Sequence, residues 1–164
     1  MKQLNLTIPV EVFESINELN SSDQALVNAA KEACTKAYAP YSAFKVGAAV
    51  LLENGKTITG SNQENAAYPS GLCAERTAMF YANAQYPDTA VMAIAIIAMN
   101  ANGIIENPVA PCGACRQVLL ETELRFKKPY DILLVGQSGI QKIKSSKDLL
   151  PLSFVGEGLL KSED

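Results

Sequence analysis

Apolar and polar positions change period several times along the chain, and each change marks an element. Leu4, Leu6 and Ile8 alternate with polar residues as an edge strand does, and Pro9 ends the alternation. From Gln24 to Tyr38 the period lengthens. Leu26, Ala30, Ala33 and Ala37 recur at helical spacing, with Ser21, Ser22 and Asp23 as candidate caps and Pro40 as a stop. Cys34 follows the same small-residue face and reads as a packing residue. Phe44 to Leu52 and Lys56 to Gly60 flank Asn54-Gly55, a strong local signal for a tight hairpin. Asn62 to Gly71 shows little periodicity and reads as loop, and helical character resumes from Cys73 to about Asn83. The ten-residue apolar run Ala90 to Met99 predicts a central strand covered on both faces. After a polar connection (Asn100 to Pro111) come a helix over Gly113–Leu124, short strands over Ile132–Val135 and Ile140–Ile143, and a last helical piece over Ser146–Leu150. A hairpin followed by strand–helix–strand crossovers predicts an α/β fold built on one mixed sheet with helices against its faces.

A chain of 164 residues, 48% hydrophobic, has the size of one domain, expected to span residues 1–164 with 1–22 as an N-terminal extension and 155–164 as a C-terminal tail. Fourteen basic against seventeen acidic side chains leave a net charge of -3, which argues against a nucleic-acid partner. The N-terminus lacks the apolar run of a secretory signal, and ten apolar residues are too few to span a bilayer. A cytoplasmic protein with no membrane partner is therefore expected. The chain has no histidine, so any mechanism that takes an imidazole base from this chain is excluded.

Four cysteines stand at 34, 73, 112 and 115. Disulfides are not expected in a chain of this length without a secretion signal. Cys73-Ala74-Glu75-Arg76 and Pro111-Cys112-Gly113-Ala114-Cys115-Arg116 instead offer three thiolates, a suitable ligand set for a catalytic zinc ion with one position open. Each group begins a predicted helix, and helix N-termini favour the deprotonated thiol. Three thiolates and one zinc ion sum to -1, so a cation close to the sulfurs is needed, and Arg76 is the residue in place to supply it. Arg116 stays open between that work and a structural or solvated charge. Glu75, two residues beyond Cys73, is placed to take a proton from a zinc-activated water and deliver it to the substrate. The Cys-x-x-Cys alone would also suit a redox dithiol. With Cys73-x-Glu75 ahead of it, it follows the zinc-deaminase pattern of His-x-Glu and Pro-Cys-x-x-Cys, thiolate replacing imidazole.

The chain closely resembles the short-chain, homotetrameric cytidine deaminases with three cysteine ligands. The resemblance rests on Tyr41-Ser42-x-Phe44-x-Val46-Gly47-Ala48-Ala49, Asn62-Gln63-Glu64-Asn65-Ala66-Ala67-Tyr68-Pro69, the two cysteine segments, and Leu149-Leu150-Pro151-x-Ser153-Phe154. It covers roughly residues 24–160. It implies a three-layer α/β/α fold with a mixed five-stranded central sheet and one Zn2+ per chain. The implied activity is hydrolytic deamination of cytidine and 2′-deoxycytidine in pyrimidine salvage. It further implies that Asn62 and Glu64 hold the ribose, that Phe44 flanks sugar and base, and that the backbone at Ala74 reads the pyrimidine edge. Phe154 is expected to reach a neighbouring subunit's site, so that a homotetramer completes its sites across subunits.

Overall fold

The computed structural model describes residues 1–156. The tail expected over 155–164 lies outside the described residues from position 157 onward. In chain order the regular elements are β1 (Glu11–Phe13), α1 (Ser21–Thr35), β2 (Lys45–Leu52), β3 (Thr57–Ser61), α2 (Ala74–Gln85), β4 (Val91–Asn100), β5 (Gly103–Ile104), α3 (Gly113–Phe126), β6 (Asp131–Gly136) and β7 (Gly139–Ile143). Single 3-10 turns occupy Ile16–Glu18, Tyr68–Ser70 and Ser146–Leu149.

The strands form one mixed sheet in the order β1-β7-β6-β4-β2-β3, with β5 pairing the end of β4. Only β4 and β6 run parallel, joined by the α3 crossover, and the remaining pairs are antiparallel. The sheet has seven strands rather than the expected five. The additional two are the three-residue β1 on the edge and the two-residue β5, both too short to leave a periodic trace in the sequence. The edge strand expected over Leu4–Ile8 is displaced. Pairing begins only at Glu11, beyond Pro9, while Leu4, Leu6 and Ile8 remain exposed.

Why the central run is apolar throughout follows from the layers. In β4, Ile94 and Ile96 face α2 and α3, packing with Ala78, Met79 and Leu119. Ala93, Ala95 and Ile97 point the other way, toward Leu26, Val27 and Ala30 of α1. Successive side chains alternate between faces, so a strand sandwiched between helices has no polar position to spare. Two glycines set how closely the layers approach. A Cβ on Gly47 would come within 2.5 Å of the Cys34 amide nitrogen in α1, and one on Gly60 within 2.5 Å of the Ala78 amide nitrogen in α2. The helix α1 starts earlier than its apolar period indicates, at Ser21, because the Asn20 side chain caps it by accepting from the Asp23 amide at 2.9 Å. Cys34 is fully buried in the α1 layer, as its helical face predicts. No helix among the described residues is long and apolar enough to cross a membrane.

Candidate metal centre and substrate cavity

Cys73 and Cys112 are the N-cap residues of α2 and α3, and Cys115 lies in the first turn of α3. The two helices lie on the same face of the sheet, so their N-termini bring the three sulfurs together: all lie within 4.8 Å of one another. Cys73 and Cys112 are 4.0 Å apart and Cys112 and Cys115 3.5 Å. Tetrahedral zinc with Zn–S bonds of about 2.3 Å sets sulfurs roughly 3.8 Å apart, so this donor set fits one zinc ion. Cys34 is not part of the group.

The electrostatics of the thiols support the same assignment. Cys73 is held below the ordinary thiol range by a hydrogen bond from Cys115, with the Arg76 guanidinium adding to the effect. Cys115 is pushed up in return by that hydrogen bond and by burial. Two sulfurs competing for one proton are the arrangement a divalent cation relieves, since metal binding stabilises every thiolate at once. Arg76 lies 3.7 Å from the Cys73 sulfur through its terminal nitrogen, and its Nε is buried without a hydrogen-bond partner. A guanidinium left partly unsatisfied in a buried position is costly unless negative charge lies beside it.

Glu75 is 5% exposed, in the first turn of α2. Burial pushes its carboxyl above the usual carboxylate range, and the Cys73 charge adds to the shift. Its side chain contributes to a cavity of about 460 Å³, together with Phe44, Asn62, Glu64, Cys73 and Cys112. Val46, Ile96, Ala98, Val109 and Ala110 make the rest of the wall mostly apolar. That volume and lining suit a small molecule whose polar groups must be met at a few fixed points. A second groove of about 430 Å³ adjoins it, sharing Ser42, Asn62, Glu64 and Cys73 and adding Tyr41 and Tyr68.

Asn62 and Glu64 are fixed by the loop they face. Asn62 accepts from the Val46 amide at 2.7 Å and donates to the Phe44 carbonyl at 2.9 Å. The Glu64 carboxylate accepts from the Tyr41 amide at 2.8 Å and the Ser42 hydroxyl at 2.5 Å, and these bonds hold it below the usual carboxylate range. A carboxylate offers about four acceptor sites, so capacity remains for a ligand hydroxyl. Ala74 is fully buried, with its methyl group in the core shared by α2 and the sheet. Phe154 is 71% exposed and is held through its carbonyl by Gln117 of α3 at 3.0 Å.

Residues 20–128 match the family described as the cytidine and deoxycytidylate deaminase zinc-binding region. The chain belongs to the short-chain zinc-dependent cytidine deaminase family. A cytidine deaminase of Halalkalibacterium halodurans is 44% identical over 136 residues, which cover 83% of this chain and 96% of that protein. The solved structure of a cytidine deaminase from Burkholderia pseudomallei has a TM-score of 0.68 at 45% identity, covering 79% of this chain and 97% of that one. That of a cytidine deaminase from Mycobacterium tuberculosis has a TM-score of 0.64 at 32% identity, covering 83% and 99%. The α/β/α fold of this deaminase thus agrees with its solved relatives, and its cysteine cluster falls within the matched zinc-binding region.

Two contributors to the site were not legible in the sequence. Ser42, in the matched segment around Phe44, positions the Glu64 carboxylate. Arg116, whose role the sequence leaves open, donates to the Pro111 and Leu149 carbonyls at 2.8 and 3.0 Å. The Ser42–Glu64 and Arg116–Leu149 contacts depend on how distant segments fold together, which residue type and local spacing do not encode.

Proposed function

We propose that this chain hydrolyses cytidine and 2′-deoxycytidine to the corresponding uridines and ammonia, with Glu75 as the proton carrier. The observation that carries the reading is the buried Glu75 carboxylate lining one cavity with two of the three clustered cysteines. Zinc held by Cys73, Cys112 and Cys115 supplies Lewis acidity that makes a water molecule reactive near neutral pH. Glu75 accepts a proton from that water and delivers it to ring N3, which makes C4 electrophilic. The oxygen of that water bonds to C4, and Glu75 moves its remaining proton from the new hydroxyl to the exocyclic amine, so that the C4–N bond breaks, ammonia departs and the uridine carbonyl forms. Its raised proton affinity suits both halves of this task, because the carboxyl must take a proton and give it up again. Arg76 offsets the excess negative charge of the sulfurs.

Asn62 and Glu64 are assigned to the ribose hydroxyls, Phe44 to the sugar and base, and the backbone at Ala74 to the pyrimidine edge. Support comes from the shared cavity of Phe44, Asn62 and Glu64, and from the position of Ala74 between Cys73 and Glu75 at the start of α2. Phe154 is assigned to a neighbouring subunit's site in a homotetramer. Its exposed ring favours this assignment, since a large apolar side chain gains about 1.5–3 kcal/mol when buried. The chain acts as one domain, with residues 1–22 as an addition to the deaminase core. It works in the cytoplasm, where a reducing environment keeps three ligand thiols free of disulfides.

Incubating the purified protein with cytidine, 2′-deoxycytidine, cytosine and 2′-deoxycytidine 5′-monophosphate, and measuring ammonia, tests the reading. Release from the two nucleosides is expected. Release from the free base alone would contradict the role given to Asn62 and Glu64.

A further inference from the structure

The C-terminal segment from Ser145 to Phe154 is tied to α3 at three separate points. At its start, the buried Glu123 carboxylate accepts from the Ser145 hydroxyl at 2.7 Å, and from the Ser146 amide and hydroxyl at 2.7 and 2.6 Å. In the middle, Arg116 donates to the Leu149 carbonyl at 3.0 Å. At the far end, Gln117 holds the Phe154 carbonyl. Arg116 and Glu123 stand seven residues apart and so share one face of α3.

Arg116 differs from the other two anchors because it also grips the metal centre. Its Nε donates to the Pro111 carbonyl at 2.8 Å, in the peptide group before Cys112. The peptide group after Cys112 is held independently of that side chain, by the regular first-turn bond from the Arg116 backbone amide to the Cys112 carbonyl at 2.9 Å. Cys112 is the most exposed of the three ligands and sits at the helix N-cap, where no intrahelical bond restrains the preceding peptide. The Arg116 side chain therefore fixes the one peptide group beside this ligand that the helix itself leaves free. The same planar guanidinium, with donors pointing in different directions, reaches the segment that leads to Phe154.

We infer that Arg116 is a positioning residue that couples the Cys112 side of the metal centre to the C-terminal segment, so that zinc retention and nucleoside affinity depend on one guanidinium. The second half rests on Phe154 belonging to a substrate wall. The first half is independent of that assignment. Lysine is a poor replacement here, because its donors all sit on one nitrogen, whereas two different guanidinium nitrogens meet the Pro111 and Leu149 carbonyls.

The test compares R116Q, R116K and E123Q holoenzymes with the parent protein. The readouts are zinc transfer to a colorimetric chelator, KM and kcat for cytidine, and Tm. R116Q should release zinc about tenfold faster, the lower end of the effect of losing a residue that orients metal ligands. It should also raise KM roughly three- to tenfold, the scale of one lost hydrogen bond, with a smaller change in kcat. R116K should resemble R116Q and serves in its place if R116Q does not fold. E123Q loosens only the segment, so it should raise KM without hastening zinc release. Unchanged zinc release in the Arg116 variants, equal acceleration in E123Q, or full rescue by lysine would each overturn the proposal. Phe154→Ala separates the two readings. An unchanged KM in that variant removes the wall assignment, whereas a raised KM there with normal KM in R116Q overturns the coupling.

Discussion

Glu75 shows how a single position acquires its chemistry from its surroundings. A glutamate in the first turn of a helix is ordinarily a solvated partner of the helix dipole. Here burial raises its proton affinity, and the N-cap geometry of Cys73 sets it beside the metal ligands. Glu75→Gln keeps the shape and the fold but cannot take up a proton. Turnover is expected to fall by at least ~10²–10⁴-fold while metal analysis still finds zinc, and near-normal turnover would mean that another group moves the proton. The cysteine cluster was legible in the sequence because metal chemistry admits few residue types at few spacings, and the buried place of Glu75 beside it is what the proposed acid–base role requires. The place of Arg116 was not legible, since its partner carbonyl at Leu149 is brought in by the fold alone.

Among the elements, α1 and the sheet are joined by charge as well as by packing. Lys142 of β7, buried, contacts Asp23 in the first turn of α1 at 2.7 Å and Asp131 of β6 at 2.6 Å. Burial alone would lower the lysine pKa, but the two aspartates outweigh it and the net shift is upward. A raised value means that the lysine contributes its full stability below the ordinary lysine pKa, and that this contribution is lost as pH climbs through the higher folded-state value. Lys142→Met should cost about 3–5 kcal/mol at neutral pH by stranding Asp23. Urea denaturation at increasing pH should also show an alkaline loss of stability in the parent chain that the variant lacks. The long elements were legible from their periods: the two helices that begin at the metal-site cysteines, the central strand, and the hairpin at Asn54-Gly55. The turn itself is formed by Glu53 to Gly55, with Gly55 at φ 81° and the Leu52 amide bonded to the Lys56 carbonyl. β1, β5 and the Asn20 cap were not legible, because two or three residues carry no period and one side-chain cap outweighs a pattern that starts later.

For the whole molecule, the α/β/α layering places two helix N-termini at one cavity, and the reaction follows from what meets there. Assembly is the larger-scale counterpart. If Phe154 closes a neighbour's site, Phe154→Ala chains mixed with Glu75→Gln chains under conditions of subunit exchange should recover activity above either variant alone. Some mixed sites would then pair an intact carboxylate with an intact ring. Verified exchange without recovery would confine Phe154 to its own chain. The central claim, hydrolytic deamination at the zinc site, is tested most directly by supplying cytidine to the zinc-loaded protein in ¹⁸O-labelled water and analysing the product by mass spectrometry. The account predicts uridine carrying one ¹⁸O atom in the base and an equal amount of ammonia. Product without the label, or no product from protein whose zinc content is verified, would contradict it.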